Sequence, residues 1–439
     1  MKFNNLITLF TILAAGAFAA DETESETATK SSSKSTTTKA SNSKSSSTNS
    51  CSLSKTTITN ATALGQIVSC PTLDGQITIS GDEFASVDLP QLRKLEGDLT
   101  VINSKSVVSI NMNQLQNIEG KLCITNMTQL ITIDLSSLRN AQDLEMVSLP
   151  SFANLVLNQE LQSTEKFILS DTALSNLNGL TSFSNINYMN INNNKNITQI
   201  QFPYLRSVSD ALILSFNNDD ALVDLNQLQW ASNLTIQSVG TFSANVLHSV
   251  NGTLQISYNI FDSLNLSNLS YVGSSLQIFA HDELTSIDLE NLQKIGGELS
   301  IFNNSELQDL SDTFPSLETV EGAVAISGDI ANLSMNSLQG VKGDFQLNST
   351  SDEFDCSKFN KLHDDGDIEG HRYICSAAKK PVSSSSGTAT RTGGSSATGS
   401  SSSSSGGDSD STTKSNGSDK MVISSLVIPI GLILAVALL

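Results

Sequence analysis

The chain has 439 residues, 38% of them hydrophobic and 5% aromatic, and its formal net charge at pH 7 is −20. This acidic balance argues against nucleic acid as a partner, because a phosphate backbone is bound by a basic surface. We interpret the negative charge as a means of staying soluble in a polymer-rich setting.

The first residues have the three parts of a secretory signal peptide. Lys2 supplies the positive end, residues 6–15 the apolar run, and residues 17–19 (Ala-Phe-Ala) the small-x-small pattern that precedes cleavage. The signal peptide therefore covers residues 1–19. Residues 20–50 are mostly Ser, Thr, Lys, Glu and Asn, which predicts a disordered segment whose hydroxyl groups can accept O-glycans.

From residue 77 to residue 347 one strand-like phrase recurs at steps of 20 to 25 residues. In each copy two apolar residues occupy alternate positions, as in Leu299-Ser-Ile301, and a second apolar set follows. Alternation with period two predicts a strand with one buried face, and recurrence at a near-constant interval predicts stacked coils. The first apolar residues of the copies are Ile77, Leu99, Leu122, Leu144, Phe167, Met189, Leu212, Leu234, Leu254, Leu276, Leu299, Val324 and Phe345.

These repeats predict an all-β fold, a single elongated parallel β-solenoid over residues 51–375 with about 13 coils of about 22 residues. The pattern is similar to a leucine-rich repeat in its length and its Leu-x-Ile-x-Asn core, but it has fewer helix-forming positions. We therefore expect short strands and turns, with no helix in the coils. A lone coil buries too little apolar surface to offset its chain entropy, so both ends of the stack need caps.

Two pairs of cysteines flank the repeats. Cys51 and Cys70 precede the array, Cys356 and Cys375 follow it, and 19 residues separate the members of each pair. Because a signal peptide implies an oxidising compartment, we predict that each pair forms a disulfide that closes one cap.

Cys123 remains without a partner in this scheme. It lies between Leu122 and Ile124, so it points out of the sheet if these two residues point inward. It is either an exposed thiol available for reaction and intermolecular pairing or a thiol covered by its neighbours, and we prefer the covered thiol.

Sequons for N-glycosylation are abundant in and beside the repeats. Asn126 and Asn303 follow strands at a position where Asn103 and Asn193 could form an inward ladder of amides. A buried asparagine cannot carry a glycan, so for these two residues the ladder and the glycan remain alternatives. The predicted acceptors are Asn60, Asn126, Asn196, Asn233, Asn251, Asn265, Asn268, Asn303, Asn332 and Asn348.

The end of the sequence has the three parts of a GPI-attachment signal. A triplet of small residues begins at Asn416, a polar spacer follows, and residues 426–439 are apolar. We predict attachment at Asn416, with Gly417 as the alternative, and removal of residues 417–439. Residues 376–416 before this site are rich in Ser, Thr and Gly, which predicts a flexible stalk.

Together these segments resemble the fungal GPI-anchored cell-wall organisation proteins, the extracellular-mutant and sporulation-specific group. Three segments resemble sequence motifs of that family: residues 188–194 (YMNINNN), 228–234 (LQWASNL) and 281–284 (HDEL). The repeats of the family are similar to the receptor L domain. The resemblance implies a glycoprotein held by a GPI lipid at the outer face of the plasma membrane, with the cell wall and the medium as further locations. It also implies wall polysaccharides and mannoproteins as partners, a need for the protein in wall organisation, and no catalytic residues to transfer.

Adjacent acidic residues occur where turns are expected. Neighbouring side chains of a strand point to opposite faces, so such doublets do not supply the two convergent carboxylates of glycoside hydrolysis. The doublets are Asp82-Glu83, Asp219-Asp220, Asp282-Glu283 and Asp364-Asp365.

The four histidines have no metal-ligand spacing, so we expect no enzyme, metal or cofactor. Trp230 and Tyr188 are candidates for sugar stacking, although a lone aromatic residue more often packs.

Three functions follow from these observations. The leading hypothesis is a non-enzymatic scaffold of the fungal cell wall. The alternative is a receptor-like module that binds a glycan or a peptide, and the least favoured is a hydrolase or transglycosylase of wall polysaccharides. A tight cluster of outward carboxylates and aromatic rings on one sheet would favour binding or catalysis, whereas scattered single residues would favour the scaffold.

Overall fold

The computed structural model of the protein describes residues 50–378. They form a parallel β-solenoid of about 14 turns, which confirms the predicted fold class. One main sheet runs through all turns. Its 21 strands are Ser50–Ile58, Thr72–Ser80, Lys94–Leu95, Asp98–Ser104, Asn117–Met127, Asn140–Leu149, Ser163–Thr172, Asn185–Asn192, Ser207–Ser215, Trp230–Gln237, Ser249–Val250, Leu254–Ser257, Tyr271–Val272, Leu276–Phe279, Lys294–Ile295, Leu299–Phe302, Thr319–Val320, Val324–Gly328, Gly340–Val341, Phe345–Ser349 and Tyr373–Ser376.

A second face is built from four small sheets of two to four short strands. These sheets are stacked in chain order but are not paired with one another, so the second face is interrupted where the main sheet is continuous. Their strands are Ser86–Asp88, Ser109–Asn111, Thr132–Asp134 and Asn154–Val156, then Gln199–Gln201, Leu222–Asp224 and Thr241–Ser243, then Ser263–Asn265 and Ser286–Asp288, and finally Asp309–Leu310 and Asn332–Leu333.

The register of the main sheet follows the apolar repeat. Ile77 pairs with Leu99, Leu99 with Leu122, and the series continues residue by residue to Val324 with Phe345. All thirteen of these side chains are buried, as are the apolar residues two positions later in each strand. Because side chains alternate across a strand, the intervening residues point outward.

Glycine precedes many of these strands because the backbones of successive coils come very close there. A Cβ atom on Gly322 would lie 2.7 Å from the carbonyl carbon of Gly297, and one on Gly343 would lie 2.5 Å from that of Gly322. A side chain at either position would therefore force successive coils apart.

Both ends of the stack are closed by the predicted disulfides, Cys51 to Cys70 and Cys356 to Cys375. Each cap also contains a helix, Ala61–Leu64 at one end and Ser357–Asp365 at the other. As predicted, the described coils between the caps are built without helices. Within residues 50–378 neither helix is long and apolar enough to cross a membrane.

The predicted signal peptide, the Ser/Thr-rich flanks and the GPI signal with Asn416 lie outside the described residues, apart from a few at their edges. Their boundaries remain predictions.

Candidate functional site

Most coils leave the main sheet through one residue in the left-handed conformation. Glycine, asparagine and aspartate adopt it most readily, whereas a bulky side chain there is rare. Phe216 and Tyr258 nevertheless occupy this corner, with φ of 53° and 58°. Such a conformation costs roughly 1–3 kcal/mol. The corner residues are Asn103, Asn126, Ser148, Asp171, Asn193, Phe216, Ser238, Tyr258, Ala280 and Asn303, with Gly81 and Gly328 near the two ends.

The residue after each non-glycine corner points into the solenoid, and a ladder of amides that is interrupted at Val239 runs there. Thr172 Oγ1 donates to Asn194 Oδ1 at 2.6 Å, and Asn194 Nδ2 donates to Asn217 Oδ1 at 3.1 Å. Further along the stack, Asn259, His281 and Asn304 continue the same row, and all of these asparagines are buried.

The expectation that Asn103 and Asn193 form this ladder is therefore wrong by one residue. The left-handed corner interrupts the alternation of the strand, so the corner side chain stays outside and its successor turns inward. Asn126 and Asn303 are exposed as well, so burial no longer competes with a glycan at either; Asn126 Nδ2 donates to Asn103 Oδ1 at 2.6 Å on the outside of the solenoid.

His281 is held neutral in this row. Its Nδ1 donates to Asn304 Oδ1 at 2.9 Å, and its Nε2 lies 3.2 Å from Nδ2 of Asn259, which can only donate. Burial lowers the pKa of the imidazole below its usual value and outweighs the opposing effects of Asn304 and Asp282. A protonated ring would place an N–H against the Asn259 amide.

On the outward face of the main sheet, the coils near the N-terminal end carry a charged cluster. Glu145 is only 7% exposed although it points outward, because Lys121 and Lys166 of the adjacent coils cover it. The Lys166 ammonium lies 2.9 Å from the carboxylate, and Lys121 forms a second ion pair. Burial acts to raise the pKa of Glu145, but the bonds from the two lysines outweigh it and the net pKa is lowered.

Cys123 lies beside this charged cluster. It points outward as predicted, and it is covered rather than exposed. Burial and the neighbouring Glu145 carboxylate raise the pKa of the thiol to about 11. A thiol with this pKa is almost entirely protonated at neutral pH and is a poor nucleophile.

Further along the same face, the central outward positions of the main sheet are uncharged. The outward residues at the centres of four successive strands form what we call the neutral strip, and they carry hydroxyl, amide or aromatic side chains. The neutral strip consists of Thr235, Gln237, Gln255, Ser257, Gln277, Phe279, Ser300 and Phe302.

Three rings at one border of this strip form an aromatic ladder, Tyr258, Phe279 and Phe302. The Phe279 and Phe302 rings are stacked with centroids 4.9 Å apart, and Tyr258 meets Phe279 edge-on at 5.7 Å. Tyr258 is 52% exposed, and Phe216, two coils away on the same row of corners, is 41% exposed.

A cleft of about 350 Å³ opens on the second face close to this ladder. It lies where the strands Thr241–Ser243 and Ser263–Asn265 fail to pair. The coil from Leu234 to Leu254 has only 20 residues, which accounts for the gap. The cleft is lined by Gly240, Thr241, Phe242, Ile260, Phe261, Asp262, Ser263 and Glu283.

Nine of the ten predicted glycan acceptors within residues 50–378 are exposed. The tenth, Asn233, is half-buried, and its amide is engaged by Asp210 and Thr253 through bonds of 3.0 Å. Glycosylation itself remains a prediction at all of them. The exposed acceptors are Asn60, Asn126, Asn196, Asn251, Asn265, Asn268, Asn303, Asn332 and Asn348.

Three of the acidic doublets lie at exposed turns, as predicted, whereas Asp364-Asp365 forms the exposed end of the cap helix Ser357–Asp365. In the described part of the chain, no cluster of three or more His, Cys, Asp or Glu residues could hold a metal ion. Trp230 and Tyr188 are half-buried and lie on different coils, so neither forms a platform with the other. The aromatic ladder was missed, although its signal was present: Phe279 and Phe302 each follow an inward isoleucine and are one repeat apart.

A parallel β-solenoid closed at both ends by disulfides is a repeat protein of the secretory pathway, since such bonds persist in oxidising compartments. No protein-family model matches the chain. It is 53% identical to the cell surface GPI-anchored protein ECM33 of Candida albicans over 76% of this chain and 80% of that protein. It is 34% identical to the cell wall mannoprotein PST1 of Saccharomyces cerevisiae over 72% of this chain and 70% of that protein. Sporulation-specific protein 2 of the same yeast is 28% identical over 66% of this chain and 57% of its own length.

The chain belongs to this family of fungal cell-surface and cell-wall proteins. The resemblance read from the sequence is thereby confirmed.

Proposed function

We propose that the protein is a non-enzymatic scaffold, anchored by GPI to the outer face of the plasma membrane, that is required for the organisation and integrity of the fungal cell wall. Its relatives in Candida albicans and Saccharomyces cerevisiae bear names of cell-surface and cell-wall proteins, which supports the location. Wall polysaccharides and mannoproteins are the proposed partners.

One observation carries the proposal: the main sheet is continuous from the strand Ser50–Ile58 to the strand Tyr373–Ser376. Coils in unbroken register share one hydrophobic core, and such a stack resists bending because each coil packs on both neighbours. It presents a long ordered surface with a repeat of ~4.8 Å between strands. That surface suits many weak contacts with extended polymers.

The arrangement of the acidic residues supports a role without catalysis. Asp262 and Glu283 are the carboxylates of the cleft, and both are exposed to solvent. The general acid of a glycosidase needs a raised pKa, which burial normally supplies.

The proposal is tested in a strain that lacks the gene. The deletion should increase sensitivity to dyes that bind wall polymers, and the full-length gene should restore resistance. A variant with both Asp262→Asn and Glu283→Gln should restore resistance equally well. Normal dye sensitivity of the deletion strain would refute a role in wall integrity, and failure of the double variant at normal surface levels would point to catalysis instead.

A further inference from the structure

The aromatic ladder is not needed for the core. Phe279 and Phe302 follow the inward residues Ile278 and Ile301, so they stand on the outer side of the sheet. Tyr258 continues the row at the corner with more than half of its side chain exposed. Three adjacent aromatic rings on consecutive coils are therefore in contact with solvent in the free protein. A bound ligand would remove this apolar surface from water.

The backbone supports the same interpretation. At most corners the left-handed residue is small or polar, but here it is Tyr258, and two coils earlier it is Phe216. Large side chains disfavour this conformation, and strain of this kind concentrates at functional sites. The strained corners hold two rings outside the solenoid, at the border of the neutral strip.

The strip beside the rings offers hydrogen bonds. The side chains of Thr235, Gln277 and Ser300 have no hydrogen-bonding partner among residues 50–378, and Thr235 and Gln277 are partly exposed. Gln237 donates to Ser257 at 2.9 Å, which leaves its carbonyl oxygen available as an acceptor. The strip therefore combines apolar rings at its border with donors and acceptors at its centre.

Charge selects the class of ligand. The chain carries a net charge of −20, yet none of the eight positions of the strip is charged. An anionic polymer would be repelled by the whole protein and would find no cation on the strip to hold it. A neutral polymer meets neither obstacle. The charged residues of the same face lie off the strip, in the cluster around Glu145 and in a second group of ion pairs around Glu321.

A neutral sugar polymer has the complementary chemistry. A β-linked pyranose with equatorial hydroxyl groups presents flat C–H faces to aromatic rings and hydroxyl groups to amides at its edge. In the parallel sheet, coils repeat every ~4.8 Å, close to the length of one pyranose unit in an extended chain. We infer that the neutral strip and the aromatic ladder bind a neutral β-linked polysaccharide. This inference rests on the proposed function and names the class of polymer that the scaffold would hold.

The experiment measures retention of the full-length protein, purified in detergent, on insoluble particles. Because Asn303 is a predicted glycan acceptor next to Phe302, the protein is first treated with an endoglycosidase. Particles of β-1,3-glucan and of chitin distinguish the two sources of a neutral β-linked polymer, and polygalacturonate beads supply an anionic comparison. Retention is expected on at least one neutral polymer and not on the anionic one.

The first variant combines Tyr258→Ser, Phe279→Ser and Phe302→Ser. It should reduce retention roughly tenfold or more, as expected for the loss of stacking on several rings. The matched control is Tyr204→Ser, which removes a ring that is 59% exposed on another part of the solenoid. The control should be retained like the wild type.

A second variant leaves the rings intact. Gln255→Asn creates a sequon with Ile256 and Ser257, so a glycan would be attached in the middle of the strip. Both this variant and its wild-type reference carry Ser305→Ala, which removes the Asn303 sequon, so they are compared without endoglycosidase treatment, and retention of the Gln255→Asn protein should fall. If the triple variant is not secreted, the Gln255→Asn variant still tests the inference.

Three results would overturn the inference: no retention of the wild type on either neutral polymer, full retention of a secreted triple variant, or full retention of the glycosylated Gln255→Asn variant. None of these results would contradict the proposed function, because the dye sensitivity of the deletion strain tests that function separately. If the wild type and the control are retained and the two site variants are not, the result supports the proposed binding site.

Discussion

His281 and Asn304 share a buried hydrogen bond of 2.9 Å between Nδ1 and Oδ1, which fixes the ring as the neutral tautomer with its proton on Nδ1. The bond links adjacent coils at the C-terminal end of the amide ladder. A titratable group thus occupies a row whose other polar members are amides and hydroxyls.

This relationship predicts a dependence of stability on pH. Since burial lowers the pKa of folded His281 below the ordinary histidine pKa of about 6.5, the unfolded chain takes up the proton first as the pH falls. The contribution of His281 is complete above pH 6.5 and is lost as the pH falls through the lower pKa of the folded state. The melting temperature should therefore fall between pH 7 and pH 5.

The His281→Asn variant should show a smaller fall over this range, because an amide continues the ladder without titrating. Its melting temperature at pH 7 should be lower, since the smaller side chain gives up its contact with Phe261. His248→Asn, at an exposed position, is the control and should keep the wild-type pH profile. Equal profiles for the His281→Asn variant and the wild type would contradict this account.

Leu299→Asp should prevent secretion. Leu299 is fully buried, and a carboxylate there would lack a partner, at a cost of several kcal/mol. Gln346→Asp places the same side chain at an outward position of a nearby strand and should be secreted normally. The measurement is the amount of each protein at the cell surface. Normal surface levels of the Leu299→Asp variant would be incompatible with the inward register.

Cys123 should react slowly in the folded protein. With a pKa of about 11, roughly one thiol in a thousand is ionised at pH 8. Iodoacetamide should therefore label Cys123 far more slowly in the native protein than in guanidinium chloride, as followed by mass spectrometry. Labelling at the same rate in both states would show that the thiol is neither covered nor shifted.

Removal of the C-terminal disulfide with Cys356→Ser and Cys375→Ser should destabilise the cap by ~3 kcal/mol on the chain-entropy model. Proteolysis at residues 350–378 should accelerate before the rest of the solenoid is cut. Cys123→Ser, which removes a thiol outside the disulfides, should leave the cleavage pattern unchanged. An unchanged pattern for the double variant would mean that packing of Phe359 on Phe345 closes this end by itself.

Asn126 and Asn303 should both carry glycans, because their corner positions leave the side chains exposed. Enzymatic release of N-glycans in heavy-oxygen water converts each occupied asparagine into labelled aspartate, which mass spectrometry detects. Asn103 and Asn193 lie at equivalent corners without a sequon and should remain unlabelled. Absence of label at both Asn126 and Asn303 would show that exposure in the folded protein does not determine their use.

The sequence was sufficient for the parts of the fold that depend on burial. The spacing of Ile77, Leu99 and their successors predicted the register of the main sheet because a one-residue slip would turn every apolar side chain to solvent. The symmetric spacing of Cys51, Cys70, Cys356 and Cys375 likewise predicted the two disulfides.

The candidate site was harder to predict because it depends on the corners. The alternation of inward and outward side chains holds only within a strand. A left-handed residue such as Asn303 interrupts this alternation. The sequence therefore placed the ladder at Asn193, whereas the structure places it at Asn194. Phe279 and Phe302 were passed over because an aromatic residue near a repeated isoleucine is normally interpreted as core.

The coil from Leu234 to Leu254 is shorter than most, yet Leu234 still pairs directly with Leu254 in the main sheet. The missing residues are taken from the turn between Leu234 and Thr241, which leads to the second face where the cleft opens. A solenoid of this design can therefore gain or lose residues on one side while the opposite side keeps its spacing. Diversification among relatives should then be concentrated in the turns, leaving the polymer-facing rows geometrically constant.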